Sequence, residues 1–144
     1  MDSLQYALRG ARVADLFAGT GALGLEALSR GAAHVTFVEP SAKTHLRDNI
    51  AMLGVEDKCT VLTLDATALP AATQPYDLIL MDAPYGEGLT QRAVDALAAK
   101  GWLAKHGMIV AETAKGEDIT PPLGLEIEDV RAYGRGALTY LIRT

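Results

Sequence analysis

The stretch Asp15-Leu16-Phe17-Ala18-Gly19-Thr20-Gly21-Ala22-Leu23-Gly24 decides the fold. The apolar run Val13–Phe17 leads into it and Leu25-Glu26-Ala27-Leu28 follows, so a buried strand ends in a glycine turn that opens a helix. Glycine lets the backbone pass close to a ligand, and the first turn of a helix offers N–H groups without partners inside the helix. Together they form the floor of a nucleotide-type site in an α/β sheet.

The same alternation continues on both sides. Leu4 and Leu8 predict a short helix over Met1–Arg9, stopped at Gly10. Ala22–Arg30 reads as a helix ended by Gly31, His34–Val38 as the second strand, and Ser41 as the N-cap of a helix reaching Leu53. Cys59–Leu64 is a third strand ending at Asp65, and Tyr76–Met81 is a fourth that delivers Asp82-Ala83-Pro84-Tyr85. Thr90–Lys100 reads as a helix and Met108–Glu112 as the fifth strand, before Leu125–Tyr133 and Ala137–Arg143 flank a Gly134-Arg135-Gly136 turn. The pattern predicts one domain over residues 1–144: a Rossmann-like, doubly wound α/β sheet, mostly parallel, with an antiparallel carboxyl-terminal hairpin.

Composition narrows the function classes. At 49% hydrophobic and 22% charged, the 144-residue chain is ordinary for a globular domain. It has no apolar run of the roughly 18 residues a membrane helix needs, and it does not open on a signal peptide. One cysteine, Cys59, excludes an internal disulfide, and a cytoplasmic monomer is the expected form. His34, His45 and His106 lie in different elements without ligand spacing, so no metal is expected. The net charge of −5 is opposite to that of a domain gripping nucleic acid by itself, so any such role has to rest on a local patch or on a further part or partner. Arg131, Arg135 and Arg143, with Tyr133 and Tyr140, are the candidate patch, and a solvated hairpin is the plainer reading.

The glycines alone do not name the nucleotide. Gly19 to Gly24 fits G-x-G-x-x-G, and Glu39 lies twenty residues after Gly19, where an acid takes ribose hydroxyls, so an NAD(P)-dependent oxidoreductase fits. There is no Gly-Lys-Ser/Thr, which argues against phosphoryl transfer from ATP. Asp65 can accept from the exocyclic amine of adenine, or serve only as a turn or N-cap residue. Asp82-Ala83-Pro84-Tyr85 supplies a carboxylate, a proline turn and an aromatic ring, which the oxidoreductase reading leaves unused. A plain Asp-x-Pro turn with Tyr85 in the core is the alternative there.

Asp15–Gly24, Glu39, Asp65 and Asp82–Tyr85 together resemble the class I S-adenosylmethionine-dependent methyltransferases, in the amino-methylating group with a (D/N)-P-P-(Y/F) signature. Asp15–Gly21 followed by Leu25-Glu26-Ala27-Leu28-Ser29-Arg30-Gly31-Ala32 is similar to the ribosomal RNA small-subunit methyltransferase D family. The resemblance implies a class I methyltransferase fold, and methylation of the exocyclic N2 of a guanine in ribosomal RNA of the small subunit. It also implies that Asp15 with Gly19 and Gly21 holds the methionine end of the cofactor, Glu39 the ribose, and Asp65 with the backbone of Ala66 the adenine, with Phe17 a further cofactor-binding residue. Two departures stand out. The family carries a basic, arginine-rich amino-terminal segment over the cofactor, whereas this sequence opens almost at its first strand, which gives the expectation of an incomplete lid. Ala83 stands where the family has proline.

The chemistry follows from the amine. Its lone pair is delocalised into the purine ring, so a catalyst helps by holding both amine hydrogens and leaving the lone pair aimed at the methyl group. Asp82 and the carbonyl of Ala83 can supply two acceptors, Pro84 shapes the turn, and Tyr85 can stack on a base drawn out of its helix or loop. The third reading, a binding or assembly domain with weak catalysis, takes its motive from the acidic charge and the short amino terminus.

Overall fold

The computed structural model describes residues 8–144; of the helix expected over Met1–Arg9, residues 1–7 lie outside them. Seven strands form one sheet in the order β3-β2-β1-β4-β5-β7-β6. They are β1 (Arg12–Leu16), β2 (His34–Val38), β3 (Cys59–Leu62), β4 (Tyr76–Asp82), β5 (Leu103–Ala114), β6 (Leu125–Tyr133) and β7 (Gly136–Arg143). Strands β1 to β5 pair in parallel, and β7 runs antiparallel to both β5 and β6. The helices are α1 (Ala22–Ser29), α2 (Leu46–Leu53) and α3 (Leu89–Ala99). The doubly wound sheet with its terminal hairpin is as the sequence predicts. No helix among the described residues is long and apolar enough to cross a membrane.

The alternation along β4 shows why the sheet needs cover on both sides. Leu78 and Leu80 join Val13, Val35, Phe37 and Ala27 in one apolar layer, beneath α1 and α2. Ile79 and Met81 join Val94, Leu97 and Trp102 in the other, beneath α3. Two-sided burial is what makes the parallel strands read as continuous apolar runs. Trp102 is packed, as its size suggests: it stacks on Tyr76 and its indole N–H donates to the Pro70 carbonyl at 2.8 Å. Gly24 is fixed by the α1–β2 contact, because a Cβ there would run into the Phe37 and Val35 side chains.

Three elements differ from the sequence reading by more than one residue. The helix expected from Ser41 begins at Leu46, because the Ser41 hydroxyl accepts the Lys43 N–H at 3.1 Å and its own N–H is drawn to Glu39. β3 stops at Leu62, as far as its register with β2 extends. β5 begins at Leu103, five residues before the expected start, because Leu103 pairs with Tyr76 and the register then shifts before Leu78 meets Met108. His106, with φ 67°, sits within the shifted stretch of β5.

The strand order reverses between β1 and β4. In open α/β sheets ligands bind over the carboxyl ends of the strands at such a point, and the signature residues converge there.

Candidate active site

The glycine loop is built by backbone geometry and then pinned by side chains. Phe17 leaves β1 with φ 58°, a left-handed conformation that a bulky residue holds at a cost of about 1–3 kcal/mol. Gly19 and Gly21 follow with φ 57° and 85°, where glycine carries no such cost. The Gly21 N–H closes the turn onto the Ala18 carbonyl at 2.8 Å, and the Ala18 N–H reaches the Val38 carbonyl at the end of β2. Glu39 completes the anchor: one carboxylate oxygen accepts the Gly19 N–H at 2.8 Å and the other accepts the Ser41 N–H at 2.9 Å. A residue read as a ribose acceptor therefore also holds the loop in place.

Asp15 lies beneath the loop, 1% exposed, and accepts the Gly24 N–H at 3.0 Å. That N–H belongs to the first turn of α1 and has no partner within the helix. Burial pushes the Asp15 carboxyl up from 3.8 to about 7, opposed by the Gly24 hydrogen bond and reinforced by the charges of Asp82 and Glu39. The folded state thus holds a proton that the unfolded chain has released, and stability falls as pH rises through the window from about 4 to about 7. Full expression of that shift corresponds to at most about 4 kcal/mol. The isosteric Asp15→Asn variant removes the titration. Its melting temperature relative to wild type rises from pH 5 to pH 8, and melting curves that keep a constant offset across that range contradict the assignment.

Over the carboxyl ends of β1, β2 and β4 opens a cleft of 610 Å³. Phe17, Glu39, Asp65, Asp82, Ala83 and Pro84 line it, as the sequence suggests, together with Pro40 and Leu89. Ala66 is buried, and Tyr85 sits outside the cleft lining. Asp65 closes a turn by accepting both the Thr67 N–H at 2.8 Å and the Thr67 hydroxyl at 2.7 Å, and these hydrogen bonds hold its carboxyl below the usual range. It is an ionised acceptor in a fixed position.

Asp82 ends β4, and its neighbour in the parallel register is Glu112 of β5. A side-chain hydrogen bond with Asp82, helped by burial and by the Asp82 charge, pushes the Glu112 carboxyl up from 4.5 to about 7. The sequence reading missed Glu112. Its only local signal is an acid closing an apolar run, and its meaning depends on a register between strands thirty residues apart.

Tyr85 is 46% exposed, so it is not a core residue. A Cβ on Gly136 would come within 3.0 Å of both the Tyr85 and Tyr133 hydroxyls, so glycine at the start of β7 lets the two tyrosines meet there. The Lys115 N–H donates to the Arg135 carbonyl at 2.8 Å, which ties the end of β5 to the hairpin turn. Arg131 is engaged within the hairpin, bound to Asp129 at 2.8 Å and seated over the Tyr140 ring. Arg143 reaches back to the Leu103 carbonyl at 3.0 Å, away from the tyrosines' neighbourhood. Of the basic residues proposed for an RNA-facing edge, Arg135 alone belongs to the turn beside the tyrosines.

The arrangement can bind a cationic ligand in an acidic cleft and present an amine to Asp82 beside an exposed aromatic ring. Known proteins resemble the chain in sequence and in fold. The sequence is 36% identical over 118 residues to the ribosomal RNA small subunit methyltransferase D of Buchnera aphidicola, an alignment covering 80% of this chain. The chain spans 62% of that relative's length. The structure of the Escherichia coli protein yhhF matches 99% of this chain and 82% of its own, with a TM-score of 0.87 and 29% identity. The ribosomal protein L11 methylase from Lactobacillus delbrueckii, at 18% identity and a TM-score of 0.79, covers 99% of this chain and 78% of its own, and shares the class I methyltransferase fold. Residues 1–142 match the family model described as Conserved hypothetical protein 95, and the chain belongs to that family, that of the ribosomal RNA small subunit methyltransferases D.

Proposed function

We propose that residues 1–144 form a catalytic domain that transfers a methyl group from S-adenosylmethionine to a base amine of small-subunit ribosomal RNA, at N2 of a guanine. The observation that carries the choice of cofactor is the charge of the cleft. Among the described residues, its lining holds Glu39, Asp65 and Asp82 and contains no lysine, arginine or histidine. A sulfonium donor with an ammonium group is attracted to that field, whereas the pyrophosphate of a dinucleotide is repelled by it. This favours the methyl-donor reading over the oxidoreductase reading.

The residues fit such a donor by position and by chemistry. Asp15, Phe17, Gly19 and Gly21 would hold the methionine end, Glu39 the ribose hydroxyls, and Asp65 with the backbone of Ala66 the adenine. When bound, the cofactor supplies an electrophilic methyl group that needs no covalent enzyme intermediate. Asp82 and the Ala83 carbonyl accept the two amine hydrogens, and Tyr85 receives the face of the base. Replacing the family's proline by Ala83 leaves that carbonyl in place and changes the stiffness of the turn. Catalysis on this account is mainly positioning.

Calorimetric titration with S-adenosylmethionine, its demethylated product and NAD tests the donor. Binding of the first two without NAD is expected. Binding of NAD alone overturns the proposal.

A further inference from the structure

An amine that gains a methyl group must lose a proton, and the acceptor reading of Asp82 leaves that proton's destination open. Asp82 and Glu112 are direct neighbours in the register of β4 and β5. Both line a small 160 Å³ cavity whose other walls include Leu80, Val110, Leu138 and Tyr140. This cavity lies beside the donor cleft, and Asp82 belongs to both. Among the described residues, none of the ion pairs gives Asp82 or Glu112 a cationic partner. Two neighbouring carboxyls on one cavity wall, Asp82 exposed and Glu112 half-buried, with apolar residues around them and no cationic partner, accommodate one proton between them more readily than none.

We propose that Glu112 is the proton-sharing partner of Asp82, and that the pair takes up the proton released by the substrate amine. The inference rests on the methyltransferase reading and adds a residue to it. As the nitrogen lone pair forms the N–C bond, the C–S bond breaks and its electron pair stays on sulfur. The nitrogen then carries one hydrogen too many, and that proton passes to Asp82 and is shared with Glu112. The neutral methylated amine and the neutral thioether leave, and the pair returns its proton to solvent. Glu112 acts through Asp82 and does not touch the base.

The sign of the pH dependence follows. A pair that already holds a proton resists a second, so the receptive form is the fully ionised one. Glu112 gives up the shared proton at about 7. Turnover then rises by about tenfold per pH unit below that point and levels off above it. Asp15 from β1 faces Asp82, and Tyr85 from the loop after β4 faces both carboxyls; Glu117 beyond β5 faces Tyr85, and Arg131 lies over the ring of Tyr140, which lines the same cavity. Of these, the carboxylates favour retention of the proton by the pair, whereas the Tyr85 phenol, its pKa raised further above the usual value, carries no charge near pH 7.

The decisive variant is Glu112→Gln, which still donates a hydrogen bond to Asp82 but takes up no proton. Its kcat on small-subunit RNA is expected to fall about 100-fold, with KM for RNA unchanged and the inflection near pH 7 gone. Wild-type kcat with the inflection retained overturns the inference. A readout independent of turnover is the carboxyl carbon of Glu112 followed by NMR in the unliganded protein. Its titration near 7 in the wild type and in the ordinary glutamate range in Asp82→Asn supports the pairing, and an ordinary titration in both overturns it. If the wild type binds the donor yet methylates no RNA, the substrate reading fails, and the NMR titration still decides whether the carboxyls share a proton.

Discussion

Asp82→Ala is expected to lower kcat for methyl transfer by about 10³-fold while leaving the donor's dissociation constant within a few-fold of wild type. The size follows from what is lost: a charged acceptor aimed at the reacting N–H, comparable to the removal of an oxyanion-hole donor at about 3–4 kcal/mol. The Ala83 carbonyl remains, so one amine hydrogen is still held, but the lone pair is no longer fixed against the methyl group. Asp82→Asn separates charge from shape, because the amide keeps the volume at the end of β4 and loses the ionised acceptor. The two variants should be nearly equally impaired. Asparagine restoring more than a tenth of wild-type kcat, measured with saturating donor and RNA, indicates that shape and not charge is what Asp82 supplies.

Glu39→Ala is expected to act on the other half of the site. It weakens donor binding by about 100-fold, read by calorimetry, and leaves kcat at saturating donor within a few-fold. Glu39 accepts the Gly19 and Ser41 N–H groups, so its removal frees the glycine loop and the turn after β2 as well as removing the expected ribose acceptor. Hydrogen bonds to a charged group contribute about 1.5–3 kcal/mol each, which sets the scale. A dissociation constant within threefold of wild type would mean that Glu39 serves only as a strand-end anchor.

The elements that were legible in the sequence are those whose cause is local. Asp15–Gly24 announces itself because an apolar run, three glycines and a helical repeat follow each other without a gap, and β1, the loop and α1 form there. β4 and its delivery of Asp82 are visible for the same reason. Ser41 shows where local reasoning fails: a good N-cap residue was redirected by Glu39, so the helix waits until Leu46. Leu103 joins β5 because Tyr76 is there to pair with it, which no window around Leu103 reveals.

The candidate site divides in the same way. Residues that touch the cleft through their own strand ends, such as Phe17, Glu39 and Asp82, could be named from spacing. Glu112 could not, because its role arises from register with Asp82 across two strands. Tyr133 could be noticed as an aromatic residue but not placed beside Tyr85, since Gly136 and the antiparallel return of β7 create that meeting. The acidic composition also misleads when taken whole. It argues against RNA, yet in the structure three of the acids line the cleft proposed for a cationic donor.

On the proposed function, this site moves a methyl group from S-adenosylmethionine to N2 of a guanine in small-subunit ribosomal RNA. The most direct test is to incubate the chain with methyl-labelled donor and small-subunit RNA or particles lacking the modification, then digest the RNA and identify the labelled nucleoside. Label is expected in N2-methylguanosine and is lost in Asp82→Ala. Label in a methylated adenosine or cytidine, or no label from a chain that binds the donor, contradicts the proposal.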